Sequence, residues 1–374
     1  MIPYLLLIAI AALFIFVAVD RTESARPVLC IGSNRLDKIQ RQNPALPVFF
    51  FLLFLMLACR SEVIGTDTQA YHHIFDVYGQ QPIKYFDLWR SESLFRLLNW
   101  TVSRFTDNFQ VLLAVVAALS LLPMAMLYCE DRRRSVIKIT LFVGMATFVV
   151  LFSGIRQMLA VSLGVVAYRC VRKKKWILFL LVFFIAVGFH HSAFMILPMY
   201  PLYHLRLKKN HLWFVIPIIL AVFVFNSQIF GVLNTLLERY DESYEAVQAS
   251  STGAYMSLIL FAAFAAFSYI VADETQMDEE LYGLRNFLLL TVVLQCFAPL
   301  HTLAMRMNYY YIVFVPITVA KFVDIPRPSM KRIAEIAAWV ITVYFLWDYI
   351  STIYTGYVTG VSALDTVPYI PFWA

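Results

Sequence analysis

The chain has 374 residues, of which 61% are hydrophobic and only 14% are charged, a balance far from that of a water-soluble globular domain. Apolar runs of membrane-spanning length recur from end to end, so the composition excludes a soluble enzyme and predicts an all-α polytopic membrane protein. The formal net charge of +6 does not indicate a nucleic-acid partner, because the positions of the basic residues follow a membrane topology.

Twelve apolar segments are predicted to form transmembrane helices within one integral-membrane domain that covers residues 1–374. They lie roughly at residues 2–19, 46–60, 109–128, 138–152, 157–171, 176–189, 193–205, 211–227, 254–272, 284–300, 308–323 and 333–350. The first segment has no basic residue ahead of it, so it is interpreted as a retained span and not as a cleavable signal peptide.

The distribution of Lys and Arg predicts the orientation of these spans. About three quarters of the 30 basic residues fall in connectors on one side, which the positive-inside rule makes cytoplasmic. Both termini are then expected to lie outside, together with two larger loops at residues 61–108 and 228–253.

Two pairs of apolar segments are predicted to form hairpins. A single long helix over residues 139–168 would place the basic clusters 132–138 and 169–175 on opposite sides of the membrane. Two short helices with a turn at Ser153–Gln157 keep both clusters inside, in agreement with the positive-inside rule. The same argument applies to residues 176–205, which are also flanked by basic residues.

The predicted hairpin limbs are shorter than the membrane is thick. A limb of about 14 residues rises only about 21 Å, whereas the hydrocarbon layer is about 30 Å thick. The turns that carry Arg156 and His190–Ser192 are therefore expected below the outer surface. Polar turns at that depth are tolerated only inside protein or against water, which predicts a cavity that opens to the periplasmic side.

The first outside loop contains a segment with a helical period. The polar residues Arg96, Asn99 and Ser103 would share one face of this helix. The apolar positions are Leu94, Phe95, Leu97, Leu98, Val102 and Phe105. The pattern predicts an amphipathic helix that lies along the membrane interface.

Two arginines stand at the outer ends of predicted spans, in the stretches SGIRQMLA (Arg156) and LAMRMNYYY (Arg306). Permanent cations in such positions are suited to hold phosphate or pyrophosphate, and an intramembrane ionisable residue is by default a functional candidate. The alternative is that both side chains extend toward lipid headgroups.

His190 and His191 are adjacent, so on a helix they diverge by about 100° and only one of them would face the cavity. A histidine there is suited to act as a general base near neutral pH, and the alternative is a polar turn capped by Ser192. Asp67, in GTDTQAY directly after a span, is a second candidate base. Its alternative role is to cap a helix that begins near Gln69.

Metal and nucleophile motifs are missing from the sequence. The five cysteines are Cys30, Cys59, Cys129, Cys170 and Cys296. None is spaced as a metal ligand, and neither a disulfide nor a metal site is expected. The tyrosine run Tyr309–Tyr311 is most simply a membrane-interface belt, and stacking of Tyr310 on a sugar ring is the alternative.

Five stretches, in this order, resemble the EpsG branch of the Wzy-type polysaccharide polymerases. They are GTDTQAY after an early span, FSGIRQMLA, GFHHSAFMILPMY, MRMNYYYIVFVP and the closing VPY. In the family pattern FHxSA, the matching histidine is His190 and the variable position is His191. The resemblance runs through most of the chain, but residues 20–45 and 228–253 lie outside it.

The resemblance implies a multi-pass enzyme of the bacterial inner membrane with a layout like that of the C-type glycosyltransferases. Such polymerases transfer a growing chain from undecaprenyl pyrophosphate to the non-reducing end of a new lipid-linked repeat unit on the periplasmic face. They need no nucleotide sugar and usually no metal, and no cofactor is expected. The implied partners are undecaprenyl-pyrophosphate-linked oligosaccharides and membrane lipids, with a chain-length regulator as a further candidate.

In this setting Arg156 and Arg306 are expected to stabilise the pyrophosphate leaving group. His190 is expected to deprotonate the attacking sugar hydroxyl, with Asp67 as its competitor, and direct attack would invert the anomeric centre. The other expected substrate-binding residues are Gln157, Arg90, Arg96, His191, Ser192 and Tyr310.

Three other functions are compatible with parts of the sequence. An O-antigen ligase would use the same lipid-linked donor but a different acceptor. A flippase or transporter of lipid-linked sugars would have polar groups throughout the membrane depth and an inverted repeat. A membrane acyltransferase would place its histidine on the cytosolic side. The order of the motifs and the clustering of polar residues at one face favour the polymerase.

Overall fold

The computed structural model describes residues 1–9, 43–80, 92–238, 251–300 and 302–374. Within these ranges the chain is helical and has no β-strand, which confirms the predicted all-α fold class. The α-helices, in chain order, are α1 (residues 2–9), α2 (Ala45–Ala58), α3 (Thr68–Gln80), α4 (Ser93–Ser103), α5 (Phe109–Tyr128), α6 (Ser135–Gly144), α7 (Ala146–Ser153), α8 (Ile155–Arg172), α9 (Trp176–Phe189), α10 (Met199–His204), α11 (Leu212–Val224), α12 (Asn226–Glu238), α13 (Ser251–Val271), α14 (Glu279–Gln295), α15 (Thr302–Ile312), α16 (Val315–Asp324) and α17 (Lys331–Thr359).

Three helical segments are long and apolar enough to cross a membrane, judged by length and composition: residues 109–128, 252–271 and 328–359. The number rises to five if the pairs α6–α7 and α11–α12, bent by 54° and 72°, each form one span. Helices α2 and α9 are apolar but shorter. In the described part of the chain, length and composition thus identify a membrane protein, and the total of twelve spans stays a prediction. Residues 10–19 of the first predicted span lie outside the described ranges.

The chain turns back between α7 and α8, as the first predicted hairpin requires. Arg169, near the C-terminal end of α8, forms an ion pair of 2.7 Å with Glu130, which lies in the connector leading into α6. Helix α8 has 18 residues, however, so the turn is confined to Gly154 and is shorter than the predicted Ser153–Gln157. Arg156 therefore lies in the first turn of a helix that rises about 27 Å, and not in a loop.

The second predicted hairpin also returns to its starting point. Lys174, just before the hairpin, and His204, near its end, both contact the carboxylate of Glu279, at 3.4 and 2.7 Å. The first limb is α9, as predicted. The returning limb is a 3-10 turn (His191–Ile196) followed by α10, and not one continuous helix, because the proline between them cannot donate a backbone hydrogen bond.

The first outside loop contains α4, but the buried face of this helix differs from the predicted one. The sequence pattern places Asn99 and Ser103 on the polar face, yet both are buried, and Asn99 has 0% exposure. They lie beside Phe95 and Val102, which enter a core cluster with residues of α3 and α5. Asn99 tolerates burial because its side-chain amide donates a 2.8 Å hydrogen bond to the carbonyl of Phe95. The predicted face was therefore wrong, since it ignored packing within the protein.

The described residues form two compact units. The first comprises Met1–Cys170, Ile177–Phe194 and Ala337–Ala374, and the second comprises Val171–Trp176 and Met195–Ile336. This division does not test the expectation of one integral-membrane domain, which stays a prediction.

In the first unit, the segment that follows α17 folds back on the loop between α2 and α3. Backbone hydrogen bonds join Ser61 to Ile370 at 2.8 Å and Gly65 to Asp365 at 3.0 Å. We call residues 361–374 the C-terminal segment. Its contacts hold the loop in which the GTDTQAY motif begins.

In the second unit, α14 packs against α10, α13, α15 and α16. Arg285 of α14 is fully buried. It forms an ion pair of 3.0 Å with Glu274, donates a 2.8 Å hydrogen bond to the carbonyl of Ser268 and lies 4.2 Å from the ring centre of Tyr269. These contacts compensate for the loss of hydration, so Arg285 has a structural role in this unit.

Candidate active site

Glu92 joins two residues that the sequence identifies as site candidates. One carboxylate oxygen, Oε1, lies 2.5 Å from Nδ1 of His190, and the other, Oε2, accepts a hydrogen bond from Nη1 of Arg156. The exposed fractions of the side chains rise from 10% for Glu92 to 18% for His190 and 37% for Arg156. The guanidinium and the imidazole are thus partly exposed and share one largely buried carboxylate.

Aromatic residues hold the guanidinium of Arg156 in place. Its Nε donates a 3.2 Å hydrogen bond to the hydroxyl of Tyr71. The guanidinium carbon lies 5.4 Å from the ring centre of Tyr71 and 5.9 Å from that of Phe95, which are cation–π distances. The bonds to Tyr71 and Glu92 use two of the five N–H donors of the guanidinium. We call Tyr71, Glu92, Arg156 and His190 the Glu92 cluster.

The motif GTDT packs directly on the stretch that contains Arg156. Gly65 has a φ of +91°, and a Cβ built on it would lie 2.2 Å from the carbonyl oxygen of Phe152. The hydroxyls of Thr66 and Ser153 lie 2.7 Å apart, and the same Ser153 hydroxyl accepts a 3.2 Å hydrogen bond from the amide of Asp67. Only glycine allows this approach of two backbones, so two separate motifs form one surface beside Arg156.

Asp67 lies at the edge of the Glu92 cluster. It stands directly before α3, and its carbonyl accepts the amide hydrogen bond of Tyr71 at 3.1 Å. The pKa of the Tyr71 phenol is raised, chiefly by burial. The charge of Arg156 offsets part of this rise, and the negative charge of Asp67 adds to it. Among the described residues, Asp67 makes no hydrogen bond to Arg156 or His190. The position fits the helix-start alternative for Asp67.

The start of α4 places Glu92 against the end of α9. Glu92 has a φ of 57°, in the left-handed region that non-glycine residues seldom adopt. Helix α4 then contacts α9 closely: a Cβ built on Gly188 would lie 2.7 Å from Cδ1 of Leu94. Since His190 follows α9 directly, this contact brings the carboxylate and the imidazole together. Unusual backbone of this kind is common at functional sites.

The electrostatic environment keeps Glu92 ionised. Burial raises the pKa of Glu92, but the hydrogen bond with His190 and the positive charge of Arg156 outweigh it, so the pKa lies below its usual value. A carboxylate with a lowered pKa is a weak proton acceptor at neutral pH. Because Nδ1 of His190 faces Glu92, the neutral ring carries its proton there, and Nε2 is the nitrogen that can accept another.

Four further predicted residues border the cluster, and one cannot be placed. Gln157 follows Arg156 and is buried, while His191 is exposed and Ser192 is half-buried in the 3-10 turn after His190. The charge of His191 acts on Glu92. Arg96 lies one turn after Glu92 on α4 and is half-buried. Arg90 lies outside the described residues.

Two predicted residues, Arg306 and Tyr310, belong to the second unit. Arg306 is exposed on α15, whereas Tyr310 is fully buried. The neighbouring Tyr311 is also buried, and its hydroxyl donates a 2.6 Å hydrogen bond to the carbonyl of Met195. The interpretation of this tyrosine run as a membrane-interface belt is therefore wrong, because the rings pack inside the protein. The substrate-binding roles of Arg306 and Tyr310 stay predictions.

The described residues offer no evident metal centre. No group of three or more His, Cys, Asp or Glu side chains in these ranges is arranged to hold an ion. The cysteines of the described ranges are free thiols: Cys59, Cys129, Cys170 and Cys296.

The sequence profile of the EpsG family matches residues 45–370 of the chain, a range that contains the whole Glu92 cluster. The chain belongs to the EpsG family. The members of the EpsG family are Wzy-like polysaccharide polymerases, so the resemblance inferred from the motifs is confirmed. No curated protein and no solved structure shows significant similarity to the chain.

Sequence reasoning missed Glu92 and Tyr71. The arginines of the same loop carry the charge that indicates phosphate binding, whereas an acidic residue and a tyrosine give no such signal. A physical signal was nevertheless present: an arginine inside an apolar segment requires a counter-charge. The acidic residues on the same side of the predicted topology are the candidates for that charge, and Glu92, at the start of an amphipathic helix, is one of them.

Proposed function

We propose that this EpsG family member polymerises undecaprenyl-pyrophosphate-linked oligosaccharide repeat units on the periplasmic face of the bacterial inner membrane. It transfers the growing chain to the non-reducing end of a new lipid-linked unit. The observation that carries the proposal is the Glu92 cluster, in which a partly exposed guanidinium and a partly exposed imidazole lie on one carboxylate. Family membership supports the reaction class.

Arg156 binds the pyrophosphate of the donor lipid. Its remaining N–H donors and its 37% exposure leave it accessible to an anion, and guanidinium binds phosphate oxygens in a bidentate manner. As the bond between the anomeric carbon and the pyrophosphate oxygen breaks, negative charge develops on the leaving group. A fixed cation at that position stabilises the transition state. Arg306, Arg96 and Arg90 are proposed to assist with the two lipid pyrophosphates.

His190 is the general base. Its Nε2 accepts the proton of the acceptor hydroxyl while that oxygen attacks the anomeric carbon, so the proton moves from the sugar to the ring and the electron pair of the broken bond moves to the pyrophosphate. Direct attack inverts the anomeric centre. Asp67 is the weaker candidate for the base, since it lies at the edge of the cluster. Gln157, His191, Ser192 and Tyr310 are proposed to contact the sugars.

The membrane setting is part of the proposal. Twelve spans, two hairpins and a layout like that of the C-type glycosyltransferases would place the cluster in a cavity open to the periplasm, with both termini outside. The connectors rich in Lys and Arg support this orientation. The partners are the two lipid-linked oligosaccharides, the surrounding lipids and a chain-length regulator.

The test uses the purified protein in lipid nanodiscs with synthetic undecaprenyl-pyrophosphate repeat units. The wild type is expected to produce a ladder of longer lipid-linked oligosaccharides. Arg156→Ala and His190→Ala are each expected to lose at least about a hundredfold in rate, because one removes charge stabilisation and the other removes the base. Products are measured by gel electrophoresis and mass spectrometry.

His73→Ala is the matched control, because His73 is exposed on α3, two residues beyond Tyr71 of the cluster. It should retain the ladder. If the repeat units cross the bilayer without new glycosidic bonds, the protein is a flippase. If transfer occurs only to a lipid A core acceptor, it is a ligase. Either result overturns the proposal.

A further inference from the structure

Glu92 occupies a position on Arg156 that an anionic substrate would take. Its Oε2 accepts a hydrogen bond from Nη1 of Arg156, and carboxylates and phosphates bind guanidinium through the same N–H donors. A pyrophosphate that engages this face of Arg156 must therefore compete with Glu92. The guanidinium of Arg156 is 37% exposed, so an anion can reach it, whereas the Glu92 side chain is only 10% exposed.

The two oxygens of Glu92 have separate partners, which allows one contact to break while the other persists. Oε1 lies 2.5 Å from Nδ1 of His190, independently of the bond that Oε2 makes to Arg156. A carboxylate that orients a histidine through Nδ1 also stabilises the protonated ring. That effect is weaker while the carboxylate charge is shared with Arg156, and it is stronger once Arg156 has another anion.

We propose that Glu92 is a positioning residue that exchanges with the donor pyrophosphate on Arg156, so that donor binding strengthens the support of His190 by Glu92. The base would thus reach its full strength only when the leaving group is already bound. This inference rests on the proposed function, because it takes the lipid pyrophosphate as the anion. The charged groups that act at the carboxylate are Arg156 from α8 and His190 and His191 after α9, with Tyr71 from α3 beside them.

The first test measures binding of inorganic pyrophosphate to the intact protein in nanodiscs by calorimetry. Glu92→Gln is expected to bind pyrophosphate at least about fivefold more tightly than the wild type, because the competing charge on Arg156 is removed. Arg156→Ala should bind it much more weakly than either. Unchanged or weaker binding by Glu92→Gln would refute the exchange.

The second test separates kcat from KM in the polymerisation assay. Glu92→Gln should lower kcat by about 10- to 100-fold, as expected for loss of a group that orients a catalytic residue, while the KM for the lipid-linked donor falls. If Glu92 had a purely structural role, the substitution would lower kcat and also raise the KM for the donor, and that result would contradict the proposal. Glu92→Asp retains the negative charge, but its side chain is one methylene shorter, so the carboxylate should reach either Arg156 or His190 and not both. It should therefore restore in part either the wild-type donor KM or the wild-type kcat, and not both.

Glu62→Gln is the control, because Glu62 also contacts the Nδ1 atom of a histidine, His72, in the same outside loop. It should leave the pyrophosphate affinity and the donor KM unchanged.

The outcomes of these tests distinguish the exchange on Arg156 from the proposed polymerase function. Tighter pyrophosphate binding by Glu92→Gln without any polymer ladder would leave the exchange standing and refute the polymerase. A ladder that depends on Arg156 and His190, with unchanged pyrophosphate affinity in Glu92→Gln, would support the polymerase and refute the exchange.

Discussion

At the scale of single residues, Glu92 explains how Arg156 and His190 coexist in a largely apolar environment. An isolated guanidinium removed from water loses hydration worth several kcal/mol, and a partner charge compensates only when the geometry is good. Here the carboxylate is 10% exposed and contacts the guanidinium and the imidazole through different oxygens. The tyrosine hydroxyl and the two aromatic rings around Arg156 complete the compensation.

The close approach at Gly65 leads to a prediction about stability. Gly65→Ala should destabilise the protein by about 2 kcal/mol or more, because a positive φ and a contact with the Phe152 carbonyl are both unfavourable for alanine. The polymerisation rate should also fall, since the displaced loop contacts the stretch that holds Arg156. Thermal unfolding in nanodiscs and the ladder assay measure the two effects.

Gly231→Ala is the matched control for this substitution. Gly231 lies within α12, and a Cβ built on it has nothing within 4 Å. Alanine in a helix is more favourable than glycine by up to about 1 kcal/mol, so this variant should be as stable as the wild type or slightly more stable. Equal losses in both variants would show that the packing at Gly65 is not the cause.

At the scale of helices, local patterns in the sequence were informative where the interactions are local. Basic flanks predicted that two segments fold back, and the ion pairs of Arg169 and Lys174 agree with that. The motifs also predict Arg156 and His190 as site residues, and the structure brings both onto Glu92. Local patterns failed for α4, whose buried Asn99 depends on helices α3 and α5, and for Glu92, whose partners lie 64 and 98 residues away. Such long-range pairing has no periodic signature.

The contact between α4 and α9 gives a prediction at this scale. Gly188→Ala should displace Leu94 and with it the start of α4, because the added Cβ would lie 2.7 Å from both Cγ and Cδ1 of Leu94. The bond between Glu92 and His190 would lengthen, and the polymerisation rate should fall by about tenfold or more. The double variant Gly188→Ala/Leu94→Ala makes room for the methyl group and should recover most of the rate. A double variant no faster than Gly188→Ala alone would show that this contact does not position Glu92.

At the scale of the whole molecule, the proposed reaction depends on the side of the membrane that the cluster faces. Undecaprenyl-linked repeat units would reach His190 only if the turn after α9 is accessible from the periplasm. The charge distribution of the sequence predicts this orientation. Helix length alone cannot predict the orientation, because only three of the described helical segments are clear membrane spans, or five if each bent pair is counted as one span.

Cysteine labelling tests the orientation. In a background without native cysteines, His191→Cys should react with a membrane-impermeant maleimide in intact spheroplasts, because His191 is exposed in its turn. Lys175→Cys, at the other end of α9 and also exposed, should react only after the membrane is permeabilised. Labelling in the opposite order would place the site in the cytosol and exclude a periplasmic polymerase.

The pairing of the C-terminal segment with the loop after α2 has a consequence for biosynthesis. Residues 364–370 supply backbone partners to Ser61, Gly65 and Thr66, yet the ribosome makes them after all seventeen α-helices of the described ranges. The loop that supports Arg156 therefore gains its last partners only when translation has passed this point. A nascent chain that has not yet reached these residues lacks this support, so the loop beside Arg156 can take its described conformation only after residues 364–370 have been made.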